Sequence, residues 1–162
     1  MMNLYVQNVF KNYGKNPMPA IKKAIEIVKD QYDLLSSATK INDVWTIGYN
    51  HTLNVFNGLS TDEKTATKVL ESTLYVLKTN ILKVVKVKLN NNQLTALILL
   101  TFDIGLKEFK QSHLLANLNA GDFKSASYGF LIFNKNGRVV SVKVARRRAV
   151  EKNIFTYIGE LR

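Results

Sequence analysis

The sequence predicts an α+β fold, with many helices, a buried central helix and one small antiparallel sheet near the N-terminus. Apolar residues recur at helical spacing in several segments, and residues 44–49 are rich in β-branched and aromatic types. Residues 93–104 are apolar nearly all round, yet this segment is too short to span a bilayer. With 162 residues, 46% of them hydrophobic, the chain can bury a sizeable core.

The N-terminal region divides into an extension and a first helix. Residues 1–19 show no sustained period and end in a turn-forming run that contains both prolines, so we expect an extension there and a single domain over 20–162. From Ile21 to Leu35, apolar residues repeat at the spacing of an amphipathic helix. The polar run 36–39 is predicted to end this helix.

The middle of the chain predicts a sheet followed by a long helix. Residues 44–49 supply a strand, and the polar stretch through Asn57 and Gly58 supplies turn residues. Ser60 and Glu63 have the spacing of a capping box that opens a helix. The apolar stripe of that helix comprises Ala66, Val69, Leu70, Thr73, Leu74 and Leu77.

The C-terminal third predicts further helices around the central one. Short helices are expected near 112–118 and 123–133. A last helix is expected from about 143 to 157, after a turn at Asn136 and Gly137.

Composition restricts the chemistry. The chain has no cysteine and two isolated histidines, which predicts no disulfide, no thiol nucleophile, no metal site and no cofactor. Neither a membrane span nor a signal peptide is expected, because lysines interrupt the start of the chain. Twenty-three basic and twelve acidic residues give a net charge of +11, which favours a polyanionic partner such as nucleic acid, an acidic glycan or an anionic membrane face.

Several motifs occur in one order along the chain. The first is Val-Trp-Thr-Ile-Gly-Tyr-Asn-His-Thr at 44–52, and it resembles the signature of the phage-type lysozymes, glycoside hydrolase family 24. The resemblance covers roughly residues 20–159. Its other motifs are 92–97 (NQLTAL), 102–105 (FDIG), 112–115 (SHLL), 118–123 (LNAGDF) and 147–151 (RRAVE).

This resemblance implies a muramidase that cuts the peptidoglycan glycan with a glutamate general acid on the first helix. An aspartate follows it, and a threonine comes six positions after the aspartate. Two carboxyl groups are the minimum for this chemistry, because one protonates the leaving oxygen and the other supports the oxocarbenium-like state or orients water.

Both acid positions are occupied by other residues here. Counting back without gaps from Thr46, at the family's threonine position, gives Lys40 for the aspartate and Gln31 for the glutamate. Aligning the first helix by its apolar pattern gives Tyr32 for the glutamate instead. Neither register supplies an acid, and a lysine would oppose the cationic transition state. We therefore predict that catalysis is lost and that Thr46 is vestigial.

Three nearby acids provide the alternative. Asp30 and Asp33 flank Gln31, and Asp43 follows Lys40 by three residues. One residue of slip rotates a helical side chain by about 100 degrees, so we expect these acids to be solvated surface groups. An unusual loop that returns one of them to the cleft would instead give an active muramidase with relocated acids.

The resemblance also assigns other residues to the ligand cleft, which we predict to contain Gln31, Lys40, Thr46, Tyr49, His51 and Arg148. His51 is interpreted as a hydrogen-bonded structural histidine rather than a base. Arg148 belongs to a run where the family carries an arginine pair, which in some relatives contacts the active-site acid. Its alternative partners are Glu151 and solvent. Asn50 replaces a family glycine, which puts the local turn in doubt.

From these observations we predict a catalytically inactive lysozyme homologue that binds peptidoglycan or another anionic envelope polymer. The alternatives are a structural or interaction protein, such as a phage-particle component or a lysozyme regulator, and the active muramidase described above. A nucleic-acid partner is less favoured, because no aromatic residues interleave the basic ones. We expect synthesis in the cytoplasm, with association with a phage particle or the envelope.

Overall fold

The computed structural model describes residues 18–158, so most of the predicted extension lies outside the described residues. The chain forms two compact units, Met1–Val76 and Leu77–Arg162, and the division falls within a long helix. The elements are α1 (Pro19–Gln31), β1 (Leu35–Ile41), β2 (Val44–Gly48), α2 (Glu63–Val84), α3 (Asn91–Ile104), α4 (Leu106–Lys110), α5 (His113–Asn119), α6 (Phe123–Gly129), a 3-10 turn (Phe130–Ile132), β3 (Lys135–Asn136), β4 (Val139–Val140) and α7 (Val142–Thr156).

The first helix is present but shorter than predicted. α1 begins at Pro19, whose fixed φ suits the first helical position. It buries Ala20, Ile21, Ala24 and Val28. The prediction that helical spacing continues to Leu35 was wrong, because the backbone becomes extended at Tyr32 and β1 begins at Leu35. The run 36–39 belongs to that strand, since pairing with β2 outweighs its weak local preferences.

The predicted antiparallel sheet is confirmed as a hairpin of β1 and β2. Its two-residue turn consists of Asn42 and Asp43, both with positive φ (49° and 64°), the conformation that tight hairpins require. The pairing sets Thr39 opposite Thr46, Lys40 opposite Trp45 and Ile41 opposite Val44, and a register shift separates these pairs from Leu35 and Gly48.

The long helix α2 is confirmed, but its predicted cap was wrong. Asp62, not Ser60, accepts a hydrogen bond at 2.6 Å from the backbone N–H of Thr65. Asp62 immediately precedes Glu63, so its short carboxylate reaches the first turn, whereas Ser60 forms a bridge with Ser37. Early in α2, Ala66 lies against Gly48, where a Cβ would come within 3.2 Å of the Ala66 Cβ.

The second unit is built around the predicted central helix. α3 is buried along most of its length, from Leu94 to Thr101. A full capping box between Asn90 and Gln93 starts it. The expected helix over 123–133 divides into α6 and a 3-10 turn, and the predicted turn at Gly137 closes a second hairpin of β3 and β4 that sequence analysis had not foreseen. None of the helices described over residues 18–158 is long and apolar enough to cross a membrane.

Candidate functional site

The threonine of the 44–52 motif lies in the buried part of β2. Thr46 is 2% exposed, and its hydroxyl donates to the Val44 carbonyl at 3.2 Å. Ile47 and Tyr49 are buried beside it in the sequence. Gly48 packs closely against Ala66, so the motif lies against the start of α2.

The register of the hairpin separates Lys40 from Thr46. Side chains alternate across a strand, and directly paired residues share a face. Thr39 is therefore the β1 residue on the face of Thr46, while Lys40 lies with Trp45 on the other face. The Lys40 ammonium is 5.8 Å from the centre of the Trp45 ring and half-exposed to solvent. Neither Thr39 nor Lys40 provides a carboxylate.

The end of α1 provides no acid at the two positions that sequence analysis identified. Gln31 is the last helical residue and is half-buried. Tyr32 follows as the C-terminal cap, and its N–H donates to the Val28 carbonyl at 2.9 Å. Gln31 carries an amide and Tyr32 a phenol, so neither side chain can act as a carboxylic acid.

The three neighbouring acids all lie at the surface. Asp30 and Asp33 are exposed on either side of the end of α1. The Asp43 side chain is fully exposed in the hairpin turn, with its carboxylate 4.0 Å from the Lys40 ammonium. None of these three carboxylates is enclosed by neighbouring side chains, as a group that protonates a bound glycan would be.

A network that sequence analysis missed joins α1 to α2 beside this motif. The Lys29 ammonium lies 2.7 Å from a Glu63 carboxylate oxygen and 5.7 Å from the centre of the Tyr49 ring. The hydrogen bond from Lys29 lowers the pKa of Glu63 and raises the pKa of Lys29. Glu63 is therefore an ionised partner of Lys29 rather than a proton donor. No local spacing pattern reveals a contact between residues 34 apart in the sequence.

The turn after β2 accommodates the replaced glycine. Asn50 has a φ of 63°, in the left-handed region that asparagine enters more readily than most residues. The backbones of Ile47 and His51 close the turn with two hydrogen bonds of 2.9 and 3.0 Å. Burial lowers the pKa of the His51 side chain, partly opposed by a hydrogen bond with the Leu53 backbone. His51 is accordingly neutral near pH 7.

A second acid in α2, Glu71, has a raised pKa, in contrast to Glu63. Partial burial raises the pKa of Glu71 above its usual value. Glu71 is five residues beyond Ala66, which corresponds to about 140 degrees of rotation and roughly 7 Å of rise along the helix. Since Ala66 is the residue that contacts Gly48, Glu71 lies on a different face of α2 from the β2 motif.

The arginine of the candidate set lies in the second unit, in a buried ion cluster. Arg148 is completely buried, and its guanidinium forms a salt bridge with Asp103 and lies 3.1 Å from a Glu151 oxygen. Arg147 approaches the same Asp103 oxygen at 3.5 Å. Burial raises the pKa of Glu151 to about 8, although the Arg148 charge pulls it down. The sequence indicated the Glu151 pairing as one option, but it had given no role to Asp103.

Known proteins share much of this sequence. The family described as phage lysozyme matches residues 32–151. The chain is 34% identical over 115 residues to the endolysin of Acyrthosiphon pisum secondary endosymbiont phage 1, covering 68% of this chain and 79% of that protein. It is 32% identical over 135 residues to the endolysin of Bacillus phage B103, covering 81% of this chain. The match spans only about half (51%) of the B103 protein.

Solved structures show the same likeness. The muramidase domain of SpmX from Asticaccaulis excentricus superposes with a TM-score of 0.78 at 29% identity, over 84% of this chain and 96% of that domain. A mutant of the P22 lysozyme superposes with a TM-score of 0.71 at 27% identity, over 82% of this chain and 94% of that one. The predicted fold class, mostly helical with a small antiparallel sheet, is confirmed by these neighbours.

Proposed function

Because the chain belongs to the phage lysozyme family, we propose that it is a non-hydrolytic member that binds peptidoglycan or another anionic envelope polymer. The family makes the function peptidoglycan-related, and several relatives are endolysins. The proposal is that this chain still binds the polymer but no longer cleaves its glycan.

The observation that carries the proposal is that neither of the two registers supported by the motifs places a carboxylate at either acid position. The glutamate position corresponds to Gln31 or Tyr32 and the aspartate position to Lys40. Thr39, which pairs with Thr46 in the hairpin, carries no carboxylate either. Both glycosidase mechanisms need two carboxyl groups that flank the scissile bond. Asp30, Asp33 and Asp43 are exposed at the surface, as most acidic side chains in proteins are.

Charge supports binding to an anionic polymer. The net charge of +11 attracts such polymers through screened Coulomb forces. A lysine at the aspartate position also removes a negative charge that would repel an acidic ligand. We propose Gln31, Lys40, Thr46, Tyr49 and His51 as the candidate ligand-cleft set of the first unit. Arg148, which the sequence also placed in this set, is wholly buried in the second unit and pairs there with Asp103 and Glu151.

Co-sedimentation with purified sacculi tests this proposal. We expect the protein to pellet with sacculi at low salt and to be released as salt rises, because screened attraction contributes most of the affinity. Lys40→Gln should weaken the binding, whereas Lys110→Gln, an equal change of charge on α4, serves as the matched control. Absence from the pellet at every salt concentration would contradict the proposal and favour a structural or interaction protein.

A further inference from the structure

The second unit contains a pocket that the proposed function does not use. It has a volume of about 400 Å³ and lies where the start of α3 meets the end of α7. A neighbouring pocket of about 340 Å³ shares Asn90, Gln93 and Phe123 with it. Thirteen residue steps, about 20 Å along α3, separate Asn90 in the pocket wall from Asp103 in the buried ion cluster, whereas on α7 the wall residue Lys152 directly follows Glu151.

The pocket has an aromatic lining. The rings of Phe123 and Phe155 stack with centroids 6.4 Å apart, and Phe155 in turn contacts Phe130 at 5.3 Å. Tyr128 and Tyr157 add rings that are about half exposed. The Asn92 side chain donates to the Tyr157 carbonyl at 3.2 Å, which fixes the chain after α7 against the start of α3. The pocket is therefore a preformed apolar surface suited to an apolar side chain.

Several hydrogen-bond acceptors around the pocket are already used within the fold. The side-chain oxygens of Asn90 and Gln93 accept each other's backbone N–H in the capping box. The carbonyls of Lys152 and Asn153 accept the Thr156 hydroxyl. The side-chain amide N–H groups of Asn90 and Gln93 remain as donors, so the pocket matches a ligand that is rich in acceptors.

Positive charge surrounds the same opening. Lys88, Lys124 and Lys152 line the two pockets, and no Asp or Glu of residues 18–158 lines either one. Lys152 lies 4.5 Å from the centre of the Tyr128 ring, an arrangement that holds its ammonium beside the aromatic surface. Asp122 lies next to the wall in sequence, but its carboxylate caps α6 through the Ser125 N–H at 2.9 Å.

We propose that this pocket binds a peptide segment of a partner protein that carries carboxylates next to an aromatic or branched aliphatic side chain. The carboxylates would contact the lysines and amide donors, while the apolar side chain would contact the rings of Phe123 and Tyr157. A sugar is less favoured, because two of the acceptors that its hydroxyl hydrogens could use, the side-chain oxygens of Asn90 and Gln93, already accept in the capping box. This proposal is independent of sacculus binding.

An NMR titration with an unlabelled peptide tests it. The probe is Gly-Glu-Phe-Glu-Gly, added to the full-length nitrogen-15-labelled protein. We expect saturable shifts at Gln93, Tyr128 and Lys152, with a dissociation constant below about 1 mM. Probes with glutamine for both glutamates, or serine for the phenylalanine, should bind at least about tenfold more weakly, because each removes one of the two recognised features.

Paired variants locate the binding. Lys88→Gln with Lys152→Gln should weaken the probe about tenfold, because two charged contacts are lost. Lys107→Gln with Lys110→Gln makes the same change of charge on exposed residues of α4, and should leave the affinity within about twofold.

Three outcomes would overturn the inference. They are no saturable shift at these residues, equal loss in both pairs of variants, and tri-galacturonate binding at the same residues as tightly as the peptide. The last would assign the pocket to acidic glycans. Co-sedimentation with sacculi measures a different interaction, so the absence of peptide binding would not contradict the proposed function.

Discussion

Charged side chains are exposed around the β1–β2 hairpin but buried where α3 packs against α7. In the hairpin region, Thr46 is buried and neutral, while the nearby acids Asp33 and Asp43 are exposed. Between α3 and α7, Arg148 and Glu151 are both buried and lie against Asp103. The difference shows that the second unit pairs its buried cation internally, Arg148 with Asp103, whereas the hairpin region leaves Asp33 and Asp43 to solvent.

The largest effect should come from removing the cation of the buried cluster. Arg148→Met removes the guanidinium that Asp103 and Glu151 share and leaves Asp103 only Arg147 at 3.5 Å, which should lower the free energy of unfolding by about 3 kcal/mol. Lys40→Met removes an equal charge from the exposed hairpin and should cost less than about 0.5 kcal/mol. Urea denaturation of both variants measures the two losses in free energy of unfolding. Equal losses would contradict the difference drawn between the buried cluster and the exposed hairpin.

The next effect is a dependence of stability on pH. Burial raises the pKa of Glu151 to about 8, so the folded protein retains a proton that the unfolded chain releases nearer its usual value of 4.5. Stability from this group is complete below the unfolded pKa, and it is lost as pH rises toward 8. Glu151→Gln should remove that loss.

This dependence of stability on pH is tested by the urea midpoints of the wild type and Glu151→Gln, measured between about pH 5 and 8. His51 acts in the opposite direction, because its lowered pKa costs stability as pH falls. The difference between the two proteins cancels the His51 contribution. A difference that does not change across this range would mean that Glu151 is ionised in the folded protein.

A smaller effect is expected at the turn after β2. Asn50 has a positive φ, so Asn50→Ala should destabilise the protein by about 1 kcal/mol, while Asn50→Gly should stay within about half of that. Thermal unfolding of the two variants provides the measurement. Equal destabilisation by alanine and glycine would point to a side-chain role for Asn50 rather than a backbone one.

Periodicity predicted most of the fold, because the elements that bury one clear stripe or a whole surface, α2 and α3, are set by local pattern. It failed where long-range pairing decides. The run 36–39 is a strand because β2 lies beside it, and no local signal outweighs the helical spacing before it. The Asp62 cap was missed since two candidate caps lie close together.

The candidate site was predictable only in part. Motif order singled out Thr46, and its assignment of the acid positions to Gln31 or Tyr32 and to Lys40 stays a prediction; the hairpin register added Thr39 as the residue opposite Thr46. The Lys29–Glu63 pair and the role of Asp103 could not be predicted, because both depend on contacts between residues distant in sequence. Single sequences carry no signal for such pairs.

The central claim, that the acid positions hold no acid, is tested most directly by the release of reducing ends from purified sacculi between about pH 4 and 8. The account predicts no release above a buffer control for the wild type. Gln31→Glu with Lys40→Asp, or Tyr32→Glu with Lys40→Asp if the alternative register holds, should give a small gain. Release by the wild type that disappears in Asp30→Asn or Asp33→Asn would contradict the account and establish an active muramidase with relocated acids.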